Sequence, residues 1–196
     1  MNEVWAIILA AGASTRMRKQ KMLLPFYDKT IIETVIENTA DALGENIMVV
    51  LGSHKEEIIA QIGNLPVNYC VNNNFMEGML SSVICGFEAL PENVSAVVIL
   101  LGDQPQIPAC VTKRVIKAWQ QNNKGIVIPT FEGKRGHPCL IETKYKYEIK
   151  MLDPEKGLRM LSQKFEEDVL EIECNLSEIL RDIDTPEEYK MEISKF

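Results

Sequence analysis

The chain has 196 residues, of which 46% are hydrophobic and 25% charged, as expected of one globular domain with a substantial core. Its net charge of -7 excludes a general nucleic-acid-binding protein, because no global positive field would attract a phosphate backbone. Its five cysteines are scattered, which disfavours a zinc site or disulfide framework, and neither a signal peptide nor an apolar run of membrane-spanning length is seen. We therefore predict a single cytoplasmic domain over residues 1–196 that binds neither nucleic acid nor a membrane.

The first predicted strand, Val4 to Leu9, leads into a loop of small residues. Such an apolar run is typical of a strand buried on both faces of a parallel sheet, and ligands bind beyond the carboxyl ends of such strands. Gly12 permits backbone angles that other residues resist, and the small side chains around it let a ligand approach backbone N–H groups. Four basic residues follow within six positions: Arg16, Arg18, Lys19 and Lys21.

This opening segment predicts a cradle for a polyphosphate, with Lys21 partly exposed in the basic loop. It is neither the P-loop nor the dinucleotide fingerprint, because both need more than the one glycine, Gly12, that the loop contains. The alternative interpretation is an ordinary strand-to-loop turn followed by a solvated basic face.

Strand and helix patterns then alternate almost to the end of the chain, which indicates an α/β domain with a mostly parallel sheet. Three capping boxes, Thr30-x-x-Glu33, Ser53-x-x-Glu56 and Thr185-x-x-Glu188, predict the starts of three helices, and the second of these helices is expected to end at Gly63. Further strands are predicted over residues 47–51, 67–71, 96–101, 125–129, 139–141 and 169–174.

Small and hydroxyl-bearing residues precede the helix that carries Leu80, Val83 and Phe87 on one face. Gly78, Ser81 and Ser82 stand at its start. Such residues can be ordinary helix caps, or they can bind a phosphate or ribose through the N–H groups that point outward there.

Acidic residues follow the predicted strand 96–101 and precede the last predicted helix. Asp103 stands where a side chain projects into the ligand crevice, although a turn aspartate is the alternative. Asp182 and Asp184 flank Ile183 and point the same way on an extended segment. Mg²⁺ prefers one or two carboxylates together with phosphate oxygens, so we predict that Asp103 and Asp184 hold one Mg²⁺.

These segments carry a resemblance that runs from the first strand to the last helix. The chain resembles the molybdenum cofactor cytidylyltransferases, which are nucleotidyltransferases of the molybdopterin type. The matching motifs are Leu-Ala-Ala-Gly-x-x-x-Arg-Met-x-x-x-Lys-x-Leu-Leu-Pro, Gly-Met-x-x-Ser, Gly-Asp-x-Pro, Gly-His-Pro and Asp-x-Asp-Thr-Pro-Glu. One departure is Arg18, which stands where the family usually has glycine.

The resemblance implies a three-layer αβα domain of the nucleotide-diphospho-sugar transferase type. It implies Lys21, Arg16 and Asp103 as catalytic residues, Asp103 and Asp184 as metal ligands, and Arg135 and His137 as contacts to the acceptor. A lone histidine is otherwise more often structural, and we do not expect His137 to be a general base. The implied nucleotide-binding residues are Leu9, Ala10, Ala11, Gly12, Arg16, Lys21, Gly78, Ser81 and Ser82.

By the same resemblance, the reaction transfers CMP from CTP to the phosphate of molybdopterin, releases pyrophosphate and supplies a molybdenum hydroxylase. CTP is favoured because Ala11-Gly12 stands where enzymes that use GTP typically show Gly-Gly. The alternatives are a guanylyltransferase, a sugar- or alditol-phosphate nucleotidylyltransferase, and a nucleotide-binding cofactor-insertion chaperone without catalysis. The second aspartate cluster argues against the chaperone.

Overall fold

The computed structural model describes residues 3–13, 17 and 20–194. The strands are β1 (Glu3–Ala10), β2 (Pro25–Phe26), β3 (Lys29–Thr30), β4 (Ile47–Leu51), β5 (Asn68–Val71), β6 (Val94–Leu101), β7 (Ile126–Phe131), β8 (Lys134–Arg135), β9 (Cys139–Glu142) and β10 (Val169–Glu173). The helices are α1 (Ile31–Leu43), α2 (Lys55–Ile62), α3 (Met79–Ala89), α4 (Ala109–Gln121), α5 (Lys146–Lys150), α6 (Leu158–Lys164) and α7 (Pro186–Ile193).

The main sheet has the order β10-β7-β9-β6-β1-β4-β5, with β8 paired to β7. β1 lies in its centre and pairs in parallel with both β4 and β6, so that Ile7 stands beside Met48 and Ile99. β9 is antiparallel to both of its neighbours, β6 and β7. The sheet is therefore mixed but mostly parallel, as the sequence predicts.

Two layers of helices cover the sheet because side chains alternate between its faces. Ala6 and Ile8 of β1 pack with the apolar residues of α1, α2 and α4. Trp5 and Ile7 pack on the other side with α3, α5 and α6. This arrangement confirms the three-layer αβα prediction and directs the carboxyl ends of β1 and β6 to one edge.

The helix starts test the predicted capping boxes. Thr30 forms its box with Glu33, and Thr185 forms another at α7. The capping box predicted at Ser53 is wrong. Helix α2 begins at Lys55 after His54, which has a φ of 56° and forms no side-chain cap. The Ser53 N–H instead donates to the Ala11 carbonyl at 3.1 Å, because this turn packs against the loop after β1.

The remaining expectations concern strand limits, membrane-spanning helices and disulfides. The strands predicted from the sequence end within two residues of those observed. Within the described part of the chain, no helix combines the length and apolarity needed to cross a membrane. All five cysteines are described, and none of them forms a disulfide.

Candidate active site

A cavity of about 490 Å³ opens at the carboxyl ends of β1 and β6. Five segments of the chain meet there: the end of β1, the stretch with Lys21 and Met22, the end of β6, the start of α3 with the residues just before it, and the stretch before α7. This is the edge at which open α/β sheets bind ligands. The residues that line the cavity are Leu9, Ala11, Gly12, Lys21, Met22, Phe75, Gly78, Met79, Ser82, Leu101, Asp103, Asp182 and Asp184.

The strand ends approach one another closely because small residues stand there. The Gly102 N–H donates to the Leu9 carbonyl at 3.0 Å, and a Cβ on Gly102 would lie 2.9 Å from that same oxygen. Gly12 faces open space, whereas the Ala10 side chain is fully buried in the core beneath α1. Of the small loop residues predicted to bind nucleotide, Ala11 and Gly12 line the cavity and Ala10 does not.

Lys21 lies at the centre of the cavity wall. Its Nζ is 2.5 Å from Asp103 Oδ2 and 2.7 Å from Asp184 Oδ1. Burial lowers the pKa of Lys21, but attraction to Asp103 and hydrogen bonds to both carboxylates outweigh it and hold the pKa above its ordinary value. Only 7% of the residue is exposed, so the expectation of a partly exposed lysine is wrong. Asp103 and Asp184 contact Lys21 in the folded chain, and no local sequence pattern around Lys21 indicates these contacts.

Two hydrogen bonds fasten the segment before α7 to the residues that follow β6, and a third holds the segment to α7 itself. The Ile183 N–H donates to the Asp103 carbonyl at 3.2 Å, and Gln104 Nε2 donates to Asp182 Oδ1 at 2.7 Å. The Asp184 N–H donates to Glu188 Oε2 at 2.9 Å. Burial and repulsion by Asp103 raise the pKa of Asp182. Asp103 and Asp184 therefore lie on the same side of the sheet, as the sequence predicts.

The start of α3 forms the opposite wall. Gly78 has a φ of 98°, a conformation that favours glycine, and the first turn of the helix faces the cavity. Ser82 is buried and lines the cavity, whereas Ser81 bonds back to the carbonyls of Asn74 and Gly78. Outward N–H groups at the start of an eleven-residue helix make this wall suitable for an anion.

Asn72 supports that wall from behind, although the sequence analysis did not single it out. Its Nδ2 donates to Ser81 Oγ at 2.8 Å and to Ser82 Oγ at 3.0 Å. Its Oδ1 accepts from the Asn74 N–H at 2.9 Å. Asn72 directly follows the carboxyl end of β5, a position at which residues of parallel sheets often face a ligand. That position was the signal by which the sequence could have identified Asn72.

Arg135 and His137 line a second cavity of about 690 Å³, between β7, β9 and α6. Arg135 Nε donates to Glu171 Oε1 at 2.7 Å, and its Nη1 donates to Ser162 Oγ at 2.9 Å. Burial lowers the pKa of His137 despite the attraction of Asp103, and His137 Nδ1 has no hydrogen-bond partner among the described residues. Met79 lines both cavities, so the two adjoin.

Comparison with known proteins gives the family. Residues 6–169 match the model of the MobA-like NTP transferase domain. The chain belongs to this family. The molybdenum cofactor cytidylyltransferase of Escherichia coli strain K12 is 27% identical over 191 residues, 96% of this chain and 95% of that protein. The nicotine blue oxidoreductase of Paenarthrobacter nicotinovorans is 24% identical over 192 residues, 94% of each chain.

A solved structure supports the fold of this nucleotidyltransferase. The manganese complex of Rv0371C from Mycobacterium tuberculosis H37Rv superposes with a TM-score of 0.83 at 21% identity, over 100% of both chains. The sequence-based assignment to the molybdopterin-type nucleotidyltransferases is thus confirmed.

The nucleotidyltransferase has oxygen ligands that suit a hard divalent cation. No three Asp, Glu, His or Cys side chains in the described ranges form a complete metal cluster. Two carboxylates, Asp103 and Asp184, nevertheless converge on the Lys21 ammonium. Asp103 Oδ1 is buried without a hydrogen-bond partner among the described residues. Mg²⁺ needs only one or two carboxylates when phosphate oxygens and water complete its shell, so this donor set fits.

The first loop of the nucleotidyltransferase is only partly described. Arg16, predicted to bind the triphosphate, lies outside the described residues, as do Arg18 and Lys19. Leu9, the last residue of β1 but one, lines the cavity.

Proposed function

We propose that this nucleotidyltransferase transfers CMP from CTP to the phosphate of a molybdopterin-type acceptor and releases pyrophosphate. The observation that carries the proposal is the buried Lys21, held between Asp103 and Asp184 in a cavity that adjoins a second one at Met79. Two adjoining cavities suit a reaction in which two substrates meet. The similarity to the Escherichia coli enzyme over nearly the whole chain supports the choice of substrates.

The first cavity offers positive charge and N–H donors for the triphosphate. Nucleotidyl transfer between phosphates calls for positioning and charge neutralisation, since the acceptor phosphate is already anionic and needs no general base. Lys21 is protonated at neutral pH because its pKa is raised, and it can neutralise phosphate charge. The N–H groups at the start of α3 offer a second anion site, and we propose that Arg16 also contacts the triphosphate.

Asp103 and Asp184 would hold Mg²⁺, with Asp182 beside them. A bound magnesium ion would neutralise developing charge on the leaving pyrophosphate. The carboxylates are suited to this because the Ile183 and Glu188 contacts fix the segment that carries Asp184. We propose Mg²⁺ as the cofactor on this donor chemistry.

The second cavity suits the acceptor. Its floor is apolar, with Ile126, Ile128 and Leu161, and its rim carries Arg135 and Arg159. An apolar floor with a cationic rim fits a planar heterocycle that bears a phosphate. His137 has a lowered pKa and so is mostly neutral at neutral pH; we propose that it forms a hydrogen bond to the acceptor rather than an ion pair.

We also propose a single domain over residues 1–196, a cytoplasmic location and a molybdenum hydroxylase as recipient of the product. The family match over residues 6–169 supports the first, and five cysteines without a disulfide suit a reducing compartment. CTP is preferred over GTP because the turn at Ala11 and Gly12 suits the smaller pyrimidine ring.

The test is pyrophosphate release with each of the four nucleoside triphosphates, with Mg²⁺, in the presence and absence of molybdopterin. We expect release only with the acceptor, fastest with CTP. Asp103→Asn should abolish most of it, while Asp41→Asn, which changes an exposed residue paired with Lys113, should not. Faster release with GTP would indicate a guanylyltransferase. Release only with a sugar phosphate, or nucleotide binding without any release, would refute the proposal.

A further inference from the structure

The Lys21 ammonium occupies the position between the two carboxylates that a shared divalent cation would take. Its Nζ is within hydrogen-bond distance of Asp103 Oδ2 and Asp184 Oδ1, at 2.5 Å and 2.7 Å. A magnesium ion bound to the same oxygens would stand about 2.0–2.1 Å from each. The ammonium and such an ion cannot both bridge this pair, because two positive charges at that separation repel strongly.

We propose that Lys21 closes the metal site until a triphosphate draws its ammonium away. The inference rests on the proposed function, because it needs phosphates in the first cavity. Lys21 is a flexible cation with rotatable donors, so it can exchange carboxylate oxygens for phosphate oxygens. The exchange frees both carboxylates at the moment when phosphates supply the rest of the metal shell. Metal and nucleotide therefore bind together, and metal alone binds weakly.

The burial of Lys21 explains why the closed state is favoured without nucleotide. The residue is 7% exposed, and a buried ammonium without anionic partners would be costly. Asp103 and Asp184 stabilise it through the contacts of 2.5 Å and 2.7 Å. Asp103 Oδ1 is buried without a hydrogen-bond partner among the described residues, so it becomes available to a metal only when the Lys21 pair opens. The apparent metal affinity falls by the fraction of molecules in which the pair is open.

The test measures Mn²⁺ binding to the full chain without nucleotide, by electron paramagnetic resonance and calorimetry. Lys21→Met should bind Mn²⁺ about tenfold or more tightly than the wild type, because the competing charge is gone. Lys21→Gln, which keeps a hydrogen-bond donor to the carboxylates, serves if the apolar variant does not fold. Lys21→Arg should stay close to the wild type. Lys113→Met removes the same charge from an exposed pair with Asp41 and should have no effect.

A second measurement uses the unaltered protein. Saturating Mn²⁺ should displace the Lys21 ammonium and raise its labelling by acetic anhydride severalfold relative to Lys113, as read by peptide mass spectrometry. Equal or weaker Mn²⁺ binding by both neutral variants, or Lys21 labelling that Mn²⁺ does not change, would overturn the proposal. Failure of the proposed function has a different signature: no nucleoside triphosphate would bind the wild type, while the Mn²⁺ difference between variants would remain.

Discussion

Replacing Asn72 by alanine tests whether the wall at the start of α3 is held from behind. The side chain is 5% exposed and takes part in three hydrogen bonds, two donated to Ser81 and Ser82 and one accepted from the Asn74 N–H. Each such bond contributes about 0.5–1.5 kcal/mol net. In the variant, Ser81 keeps its contacts to the Asn74 and Gly78 carbonyls. The hydrogen bonds that are lost without replacement are therefore those of Ser82 and of the Asn74 N–H. We expect Asn72→Ala to lower the free energy of unfolding by about 2–3 kcal/mol.

The assays are urea unfolding, thermal unfolding and nucleotide binding. A loss of this size should lower the Tm by about 5–10 °C for a chain of this length. Affinity for CTP should fall severalfold, because Ser82 and the first turn of α3 line the cavity. Asn73→Ala changes the exposed neighbour in the same loop and should alter neither quantity. If Asn72→Ala loses no more stability or affinity than Asn73→Ala, the supporting role assigned to Asn72 is refuted.

Two further predictions concern the segment before α7. Thr185→Ala removes the cap of α7, and it should lower the free energy of unfolding by about 1 kcal/mol and weaken Mn²⁺ binding. Thr30→Ala at the other capping box should cost as much stability but leave Mn²⁺ binding unchanged. Asp182→Asn should raise the Tm at pH 7, because a raised folded-state pKa means that ionised Asp182 destabilises the folded protein, and the gain should vanish below the ordinary pKa of 3.8. Thermal unfolding between pH 3.5 and 7.5 checks this, and a gain independent of pH would contradict it.

Much of the fold follows from local patterns in the sequence. The run from Val4 to Leu9 is apolar on both faces, which suits a strand covered by helices on both sides. Thr30 and Thr185 cap their helices because the partner glutamate lies three residues away in each case. Ser53 shows the same spacing and fails, since its backbone is taken by the Ala11 carbonyl, a contact across the sheet that spacing cannot reveal.

These local patterns did not predict the order of the strands in the sheet. The strand predicted over residues 139–141 is found as β9, but the prediction did not show that β9 lies between β7 and β6 and pairs with both. A strand's neighbours are fixed by hydrogen bonds and side-chain packing over its whole face, and two adjacent segments do not determine them.

The sequence by itself determined which residue types stand at two strand ends and before the last helix: the small loop after β1, Asp103 after β6, and Asp182 and Asp184 before α7. Chain connectivity and the parallel sheet place such residues at one edge. Only the tertiary structure decided that Lys21 is buried between Asp103 and Asp184, residues 82 and 163 positions away. The physical reason is that the burial and pairing of a charge depend on groups that the fold brings together from distant parts of the chain, and local sequence carries no record of them.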